Sequence, residues 1–208
     1  MDIIAELKSY NVSRETIRKL EDFVALLTQW NQKMNLISKN SLPEVWTRHV
    51  LDSIQLSSYF SEKDKLIVDI GSGSGFPGIV SAIVLQEKNP EAKVVLVESI
   101  TKKTLYLNSV CADLGLKNVI VVNDRVENTV FKDADIITAR AVASLDILLK
   151  YAAKIGGKQT KLLLLKGKSY ISEENQAKEY WNYDCEVIKN KYCDDGVIMK
   201  ITNIRKKK

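Results

Sequence analysis

Leu66-Ile67-Val68-Asp69-Ile70-Gly71-Ser72-Gly73-Ser74-Gly75-Phe76-Pro77-Gly78 is the stretch whose reading decides the fold. A short run of mostly β-branched apolar residues carries one acid, glycines then recur at every second position, and an apolar helical pattern resumes. That order predicts strand, tight glycine turn and helix. Glycine has no Cβ, so it tolerates positive φ and lets a ligand lie against the backbone at the carboxyl end of a parallel strand. A nucleotide-like cofactor is the expected occupant, in preference to a purely structural turn.

Two cofactor classes compete for this loop. Gly73-Ser74-Gly75-Phe76-Pro77-Gly78 satisfies the dinucleotide spacing, whereas counting from Gly71 puts Phe76 in the sixth position and breaks it. Asp69 weighs against a pyrophosphate, because a carboxylate before the turn repels phosphate charge. S-adenosylmethionine carries a sulfonium and an ammonium but no phosphate, so an acidic lip suits it better.

Downstream of the loop, strands and helices alternate, as in a parallel sheet covered on both faces. After Leu66–Ile70 the expected strands are Lys93–Glu98, Val119–Val122, Asp135–Thr138 and Leu162–Leu165. Helices are expected over about 76–88, stopped by Asn89-Pro90, and 101–114, ended by Gly115. Two final strands, near Glu186–Asn190 and Val197–Ile204, are joined through the turn signal Asp194-Asp195-Gly196 and are expected to be antiparallel. The fold class is α/β. Five alternating strands with a closing hairpin resemble the sheet of class I S-adenosylmethionine-dependent methyltransferases more than that of a dehydrogenase.

Upstream, helices are expected over 2–10 and 13–36. Ser13 can cap the second, and Ile17, Leu20, Val24 and Leu27 recur at helical spacing with Phe23, Trp30 and Met34 read as core. A further helix begins near Ser41-Leu42-Pro43 and carries Trp46, Arg48, His49, Val50, Asp52 and Ile54. The expected organisation is a helical extension, residues 1–60, on a methyltransferase-like unit, residues 61–208.

A chain of 208 residues and 23.5 kDa can bury a substantial core without staples. Cys111, Cys185 and Cys193 are odd in number and lack metal-ligand spacing, which points to a reducing compartment. The amino terminus carries acids where a secretory signal needs bases, and no apolar run approaches the roughly 20 residues of a membrane span. A cytoplasmic location without membrane association is expected. The net charge of +5 is unevenly spread: residues 150–208 hold 14 basic and 7 acidic side chains, which suits a phosphate-rich partner.

Glu98 closes the second strand, where a carboxylate can accept hydrogen bonds from both ribose hydroxyls of an adenosine. Asp124, Arg125, Val126 and Glu127 follow the third strand, over the adenine. The fourth strand runs into Arg140-Ala141-Val142-Ala143-Ser144-Leu145, where substrate and methyl donor meet. The chain has no Asn/Asp-Pro-Pro-aromatic segment to grip an exocyclic amine and no Pro-Cys pair to attack a pyrimidine. An acceptor that is already nucleophilic, such as N7 of guanine, needs neither, and its methylation rests on alignment and desolvation without a general base.

Five segments together resemble one family: Asn35-Leu36-Ile37-Ser38, Arg48-His49-Val50-Leu51-Asp52-Ser53, the glycine loop Asp69–Gly78, Arg140–Leu145 and Leu165-Lys166-Gly167-Lys168. The chain is similar to the RsmG (GidB) family of bacterial methyltransferases that modify guanine N7 in 16S ribosomal RNA. The resemblance implies S-adenosylmethionine as donor, with Gly71, Gly73, Gly75 and Phe76 in the loop, Glu98 on the ribose, Val126 and Glu127 after the third strand, and Arg140 after the fourth. It implies 16S RNA or the small ribosomal subunit as partner, and a monomer is the expected state.

Substrate residues are less firmly attached to these motifs. Arg48 either holds a cofactor carboxylate or RNA phosphate, or pairs with Asp52 one turn on. Lys166 and Lys168 either meet phosphates or lie on a solvated loop. His49, the only histidine, reads as structural, and the tail Arg205-Lys206-Lys207-Lys208 as a disordered, generally RNA-attracting segment. A nicotinamide oxidoreductase and a noncatalytic RNA-binding protein are the competing classes, each distinguishable by which ligand binds.

Overall fold

The computed structural model describes residues 1–207. Its centre is one seven-stranded sheet in the order β3-β2-β1-β4-β5-β7-β6, where β1 is Leu66–Ile70, β2 Lys93–Val97, β3 Val119–Val122, β4 Ala134–Arg140, β5 Gly156–Lys166, β6 Trp181–Lys189 and β7 Val197–Lys206. The first five are parallel, and β7 runs antiparallel to both β5 and β6. β1 is central, paired with β2 on one side and β4 on the other, so the strand order reverses beside it. Ligands bind at such a switch point because two loops diverge there and leave a crevice. All neighbours of β1 deliver their carboxyl ends to the same edge.

The helices follow from the patterns that surround them. α1 (Ile3–Lys8) is capped by Asp2, which accepts from Ile4 and Ala5, and α2 (Arg14–Asn31) by Ser13, which accepts from Thr16. α2 stops five residues short of its expected end. The Asn31 side chain accepts from the Leu36 and Ile37 amides at 2.9 and 3.0 Å, turning the chain back as a loop. The helix expected from Ser41 begins later: a π-helical segment, Trp46–Leu51, runs into α3 (Asp52–Ile54) and a tight 3₁₀ turn, Gln55–Tyr59. α4 (Gly78–Lys88), α5 (Thr101–Asp113), α6 (Leu145–Ile155) and α7 (Tyr170–Tyr180) connect the strands.

The amino-terminal helices do not form a core of their own. Leu7, Leu20, Phe23, Leu27, Leu51 and Ile54 are buried in one cluster with Ile67, Ile79, Ile83, Leu96 and Tyr106 of the sheet and its helices. A second cluster, around Val68, Ile137, Leu148, Leu164 and Met199, fills the opposite face. Each fully buried aliphatic side chain stabilises by about 1.5–3 kcal/mol over its exposed state, so the extension and the sheet face it covers stabilise each other. The carboxyl-terminal hairpin is longer than expected. Arg205 and Lys206 belong to β7 and Lys207 donates to the Tyr180 carbonyl at 2.8 Å, which corrects the expectation of a disordered tail; Lys208 lies outside the described residues.

Candidate cofactor and acceptor site

The glycine loop is held from below before any ligand is considered. Gly71 and Ser72 both donate to the Val97 carbonyl, at 2.8 and 3.1 Å, which ties the loop to the end of β2. Gly71, Gly73 and Gly75 all have positive φ, at +65°, +51° and +93°. They do different work. An added Cβ at Gly73 meets nothing closer than 3.6 Å, so its surface is open to a ligand. At Gly75 it falls 2.6 Å from Ile79 Cδ1 and 3.1 Å from Phe23 Cζ, so Gly75 is required by packing and lines neither cleft described below.

Asp69 is not the lip it was expected to be. It is 1% exposed, beneath the loop, with Oδ1 accepting from Thr138 Oγ1 at 2.7 Å. Oδ2 makes no bond of good geometry and sits at the amino terminus of α4, 2.6 Å from where a Gly78 Cβ would stand. Burial pushes this carboxyl up to about 6, against the bond from Thr138. The acid therefore fills the helix terminus at which a dinucleotide loop seats its pyrophosphate, which weakens the oxidoreductase reading more directly than an exposed acid could.

Two clefts open on either side of the loop. The first, about 480 Å³, is lined by Gly71, Gly73, Glu98, Ile100, Val126, Glu127, Ile147 and Tyr151 among others. Glu98 is 6% exposed and fixed by accepting from Gly73 N at 3.0 Å and Ile100 N at 2.8 Å. A carboxylate has about four acceptor positions, so two remain for a pair of hydroxyls. Val126, Ile100 and Ile147 offer apolar walls to a base, and Tyr151 donates to Glu127 at 2.9 Å, closing the far side. The donor set fits the nucleoside half of S-adenosylmethionine: one acid for the ribose and apolar surface for the adenine.

The second cleft, about 260 Å³, lies between the loop and the extension, lined by Ile37, Ser38, Ser41, His49, Phe76 and Arg140 among others. Phe76 belongs here and not to the adenosine cleft. Its ring stacks on His49 at 5.0 Å and tilts against Phe23 at 5.1 Å. His49 Nε2 is buried without a partner, and burial, with Arg140 and Arg48 adding repulsion, pushes its pKa down to about 3. The imidazole is neutral throughout the physiological range. Both clefts share Gly71, Gly73, Lys103, Ala141 and Val142, so they meet over the loop.

Arg140 ends β4 with its guanidinium fixed on two sides. Nε lies 3.4 Å from Asp52 Oδ2 and Nη2 donates to the Arg48 carbonyl at 2.8 Å, while Nη1 is buried with no partner. The ion pair expected between Arg48 and Asp52 is not formed. Arg48 is exposed and pairs with Glu44 at 3.2 Å, because Asp52 turns inward, where it accepts from Asn190 and Gln55. The next residue, Ala141, has φ +53°, an unfavourable conformation for a residue with a Cβ. That bend lays Val142 across the loop, its methyls 2.6 and 2.7 Å from the position of a Gly71 Cβ.

Lys166 and Lys168 are separated by the fold. Lys166 is drawn inward, its Nζ donating to Glu173 Oε2 at 2.7 Å and to the Ala143 carbonyl at 2.8 Å, and so steadies the loop after β4. Lys168 is exposed and pairs with Asp195 at 2.9 Å. Lys103, Val142, Ala141 and Tyr151 lie in the clefts although sequence reasoning gave none of them an individual role. For Val142 the Arg140–Leu145 segment was a signal, whereas Tyr151 on α6 carried none.

Residues 16–196 match the family model for GidB, described as rRNA small subunit methyltransferase G. The chain belongs to the GidB family. Relatives named ribosomal RNA small subunit methyltransferase G include one from Cereibacter sphaeroides, 42% identical over 94% of each chain, and one from Rickettsia prowazekii, 40% identical over 94% of this chain and 98% of the relative. Among solved structures, a SAM-dependent methyltransferase from Aquifex aeolicus superposes with a TM-score of 0.60 at 16% identity, over 76% of this chain and 93% of that one. A ribosomal protein L11 methylase from Lactobacillus delbrueckii does so with a TM-score of 0.60 at 14% identity, over 75% and 78%. The GidB chain thus has the class I methyltransferase fold that its strand order shows, and S-adenosylmethionine is its cofactor. No described helix is long and apolar enough to cross a membrane.

Proposed function

We propose that this GidB-family chain transfers the methyl group of S-adenosylmethionine to N7 of one guanine in 16S ribosomal RNA, acting as a cytoplasmic monomer. The observation that carries the reading is the meeting of the two clefts over Gly71 and Gly73. One is built for a nucleoside, and the other, walled by Phe76 and His49, is the place for a flat base. In chain order, residues 61–208 are the methyltransferase unit and residues 1–60 supply the acceptor wall.

The bound cofactor supplies an electrophilic methyl group on a positively charged sulfur. Glu98 anchors the ribose, Val126 and Glu127 flank the adenine, and Gly71 and Gly73 let the chain beyond the ribose lie on the backbone. Arg140, with Nη1 unpaired, is the group at hand for the cofactor's carboxylate. The N7 lone pair attacks without losing a proton, so no side chain must act as base. The residues at the junction agree with that: Asp69 is sealed below the loop, and His49, its pKa pushed down to about 3, is too weak a base to take a proton. Alignment of base and methyl group, with water kept out by Val142 and Phe76, carries the rate.

The remaining candidates for RNA contact differ in what they give up. Arg48 and Lys168 each hold only an exposed surface pair and can exchange it for phosphate at little loss. Lys166 can do so only by releasing Glu173. Incubation with labelled methyl donor and small-subunit RNA, followed by mapping of the modified base, tests the reading. Label on N7 of a single guanine is expected; label on an exocyclic amine or on protein overturns it.

A further inference from the structure

Lys103 occupies a position that neither the cofactor reading nor the fold explains. It stands in the first turn of α5, half-buried, and it lines both clefts. The two arginines in those walls each have an acidic partner: Arg125 pairs with Glu127 at 3.4 Å and Arg140 with Asp52. Among the described residues, Lys103 is the one lysine or arginine lining either cleft that has no acidic partner. An unpaired ammonium at the junction of a nucleoside cleft and a base cleft is a ready anion site.

Three further lysines without acidic partners stand on the elements around the acceptor mouth. Lys102 is its neighbour on α5. Lys39 follows Ser38, which lines the acceptor cleft, and is exposed. Lys33 lies just past the end of α2, its Nζ 5.5 Å from the Trp30 ring. Trp30 packs edge-on against Tyr106 at 5.7 Å, and Tyr106 donates to the Ser74 carbonyl at 3.0 Å, so this lysine is tied through two aromatic rings to the glycine loop. One cofactor carboxylate needs one cation, and Arg140 Nη1 is available for it. Lys103 in the mouth itself and three lysines without acidic partners on adjoining segments suit a polyanion instead.

We infer that Lys103 holds the phosphate of the nucleotide whose base enters the acceptor cleft, and that Lys33, Lys39 and Lys102 carry the adjoining RNA backbone across this rim. The inference rests on the RNA methyltransferase reading and names the face on which that substrate docks. It places the docking surface on the extension and α5, away from the lysine-rich carboxyl-terminal segment where the charge count alone put it. Lys103 is here a positioning residue, since it touches neither the methyl group nor N7.

The test compares wild type with Lys103→Gln, Lys103→Arg, and the fourfold variant Lys33→Gln, Lys39→Gln, Lys102→Gln, Lys103→Gln. Lys158→Gln, beside Gly157 at the opposite end of the sheet, is the charge-matched control. RNA affinity is measured against salt, methyl transfer by its KM and kcat, and S-adenosylmethionine affinity by calorimetry. For Lys103→Gln the expected result is a salt slope reduced by about 0.7, as for one contact to a single strand, with KM for RNA up about tenfold and kcat little changed. Lys103→Arg should restore both, and the fourfold variant should lose about 3 from the slope. Cofactor affinity should stay within about twofold of wild type. An unchanged slope in an otherwise active variant overturns the rim while leaving the methyltransferase reading intact. Tenfold weaker cofactor binding by Lys103→Gln overturns it in favour of a carboxylate contact. A wild-type chain that binds no RNA overturns the substrate reading and the rim together.

Discussion

Arg140 Nε lies 3.4 Å from Asp52 Oδ2, and this one pair joins the end of β4 to the amino-terminal extension at the rim of the acceptor cleft. Asp52 is 5% exposed, and it also accepts from Asn190 at 2.6 Å, so the β6–β7 turn is fastened to the same acid. Burial raises the Asp52 pKa and the guanidinium opposes that rise. Removing the acid leaves an uncompensated buried cation.

Asp52→Ala is therefore expected to destabilise the protein by about 3 kcal/mol, the usual cost of breaking a buried pair by deleting one partner. Urea unfolding gives the stability, and calorimetry should show weaker cofactor binding because Arg140 loses its orientation. A variant as stable as wild type, with full affinity, would mean that Arg140 is held by its bond to the Arg48 carbonyl alone.

Gly71→Ala is expected to abolish measurable S-adenosylmethionine binding. The new methyl falls within 2.7 Å of both Val142 methyls, and φ +65° costs a residue with a Cβ about 1–2 kcal/mol. Adding Val142→Ala should recover part of the affinity by removing the clash while leaving the strain. If the double variant binds no better than Gly71→Ala, Val142 is not the obstacle.

Glu98→Ala is expected to weaken cofactor binding by about a hundredfold, through two lost ribose bonds to a charged acceptor at roughly 1.5 kcal/mol each. Glu98→Gln should fall between that variant and wild type, because its amide retains only one acceptor oxygen. Titration of both variants with the cofactor checks the order; equal affinities for wild type and Glu98→Ala would remove this residue from the site.

His49 is held near pKa 3 by burial and by the cations Arg140 and Arg48, against 6.5 in an unfolded chain. Between those values the unfolded chain binds more protons, so stability contributed at His49 is present above about 6.5 and is lost as pH falls. Asp69, raised to about 6, acts with the opposite sign between about 4 and 6, because there the folded state binds the extra proton. The difference between wild type and His49→Phe isolates the histidine. Wild type should lose more stability than the variant between pH 7.5 and 5, and parallel losses would show that His49 protonates in place.

Lys166→Met is expected to lower stability where Lys168→Ala leaves the melting temperature unchanged. Lys166 Nζ is buried against Glu173 and the Ala143 carbonyl, whereas Lys168 and Asp195 meet in open solvent. Thermal unfolding of the two variants decides it, and equal melting temperatures would return Lys166 to the surface.

The amino-acid sequence by itself determined the alternation of strands and helices, the glycine turn after β1, the acid closing β2 and the family. Each is local: a pattern of two or 3.6 residues, a glycine at positive φ, or a motif read along the chain. Residues 126–127 and Arg140 were legible for the same reason, because strand ends in a parallel sheet all arrive at one edge. What only the tertiary structure decided are relations between distant segments. Asp69 lies under the loop because α4 begins where its carboxylate points, which no spacing states. Phe76 stacks on His49 because the extension folds back over the loop, and Asp52 chose Arg140, 88 residues on, over its helical neighbour Arg48 because burial favours the partner that is itself withdrawn from water. Lys103 reached the junction of the two clefts by the same route: its importance is a matter of what surrounds it, and its surroundings come from four separate parts of the chain.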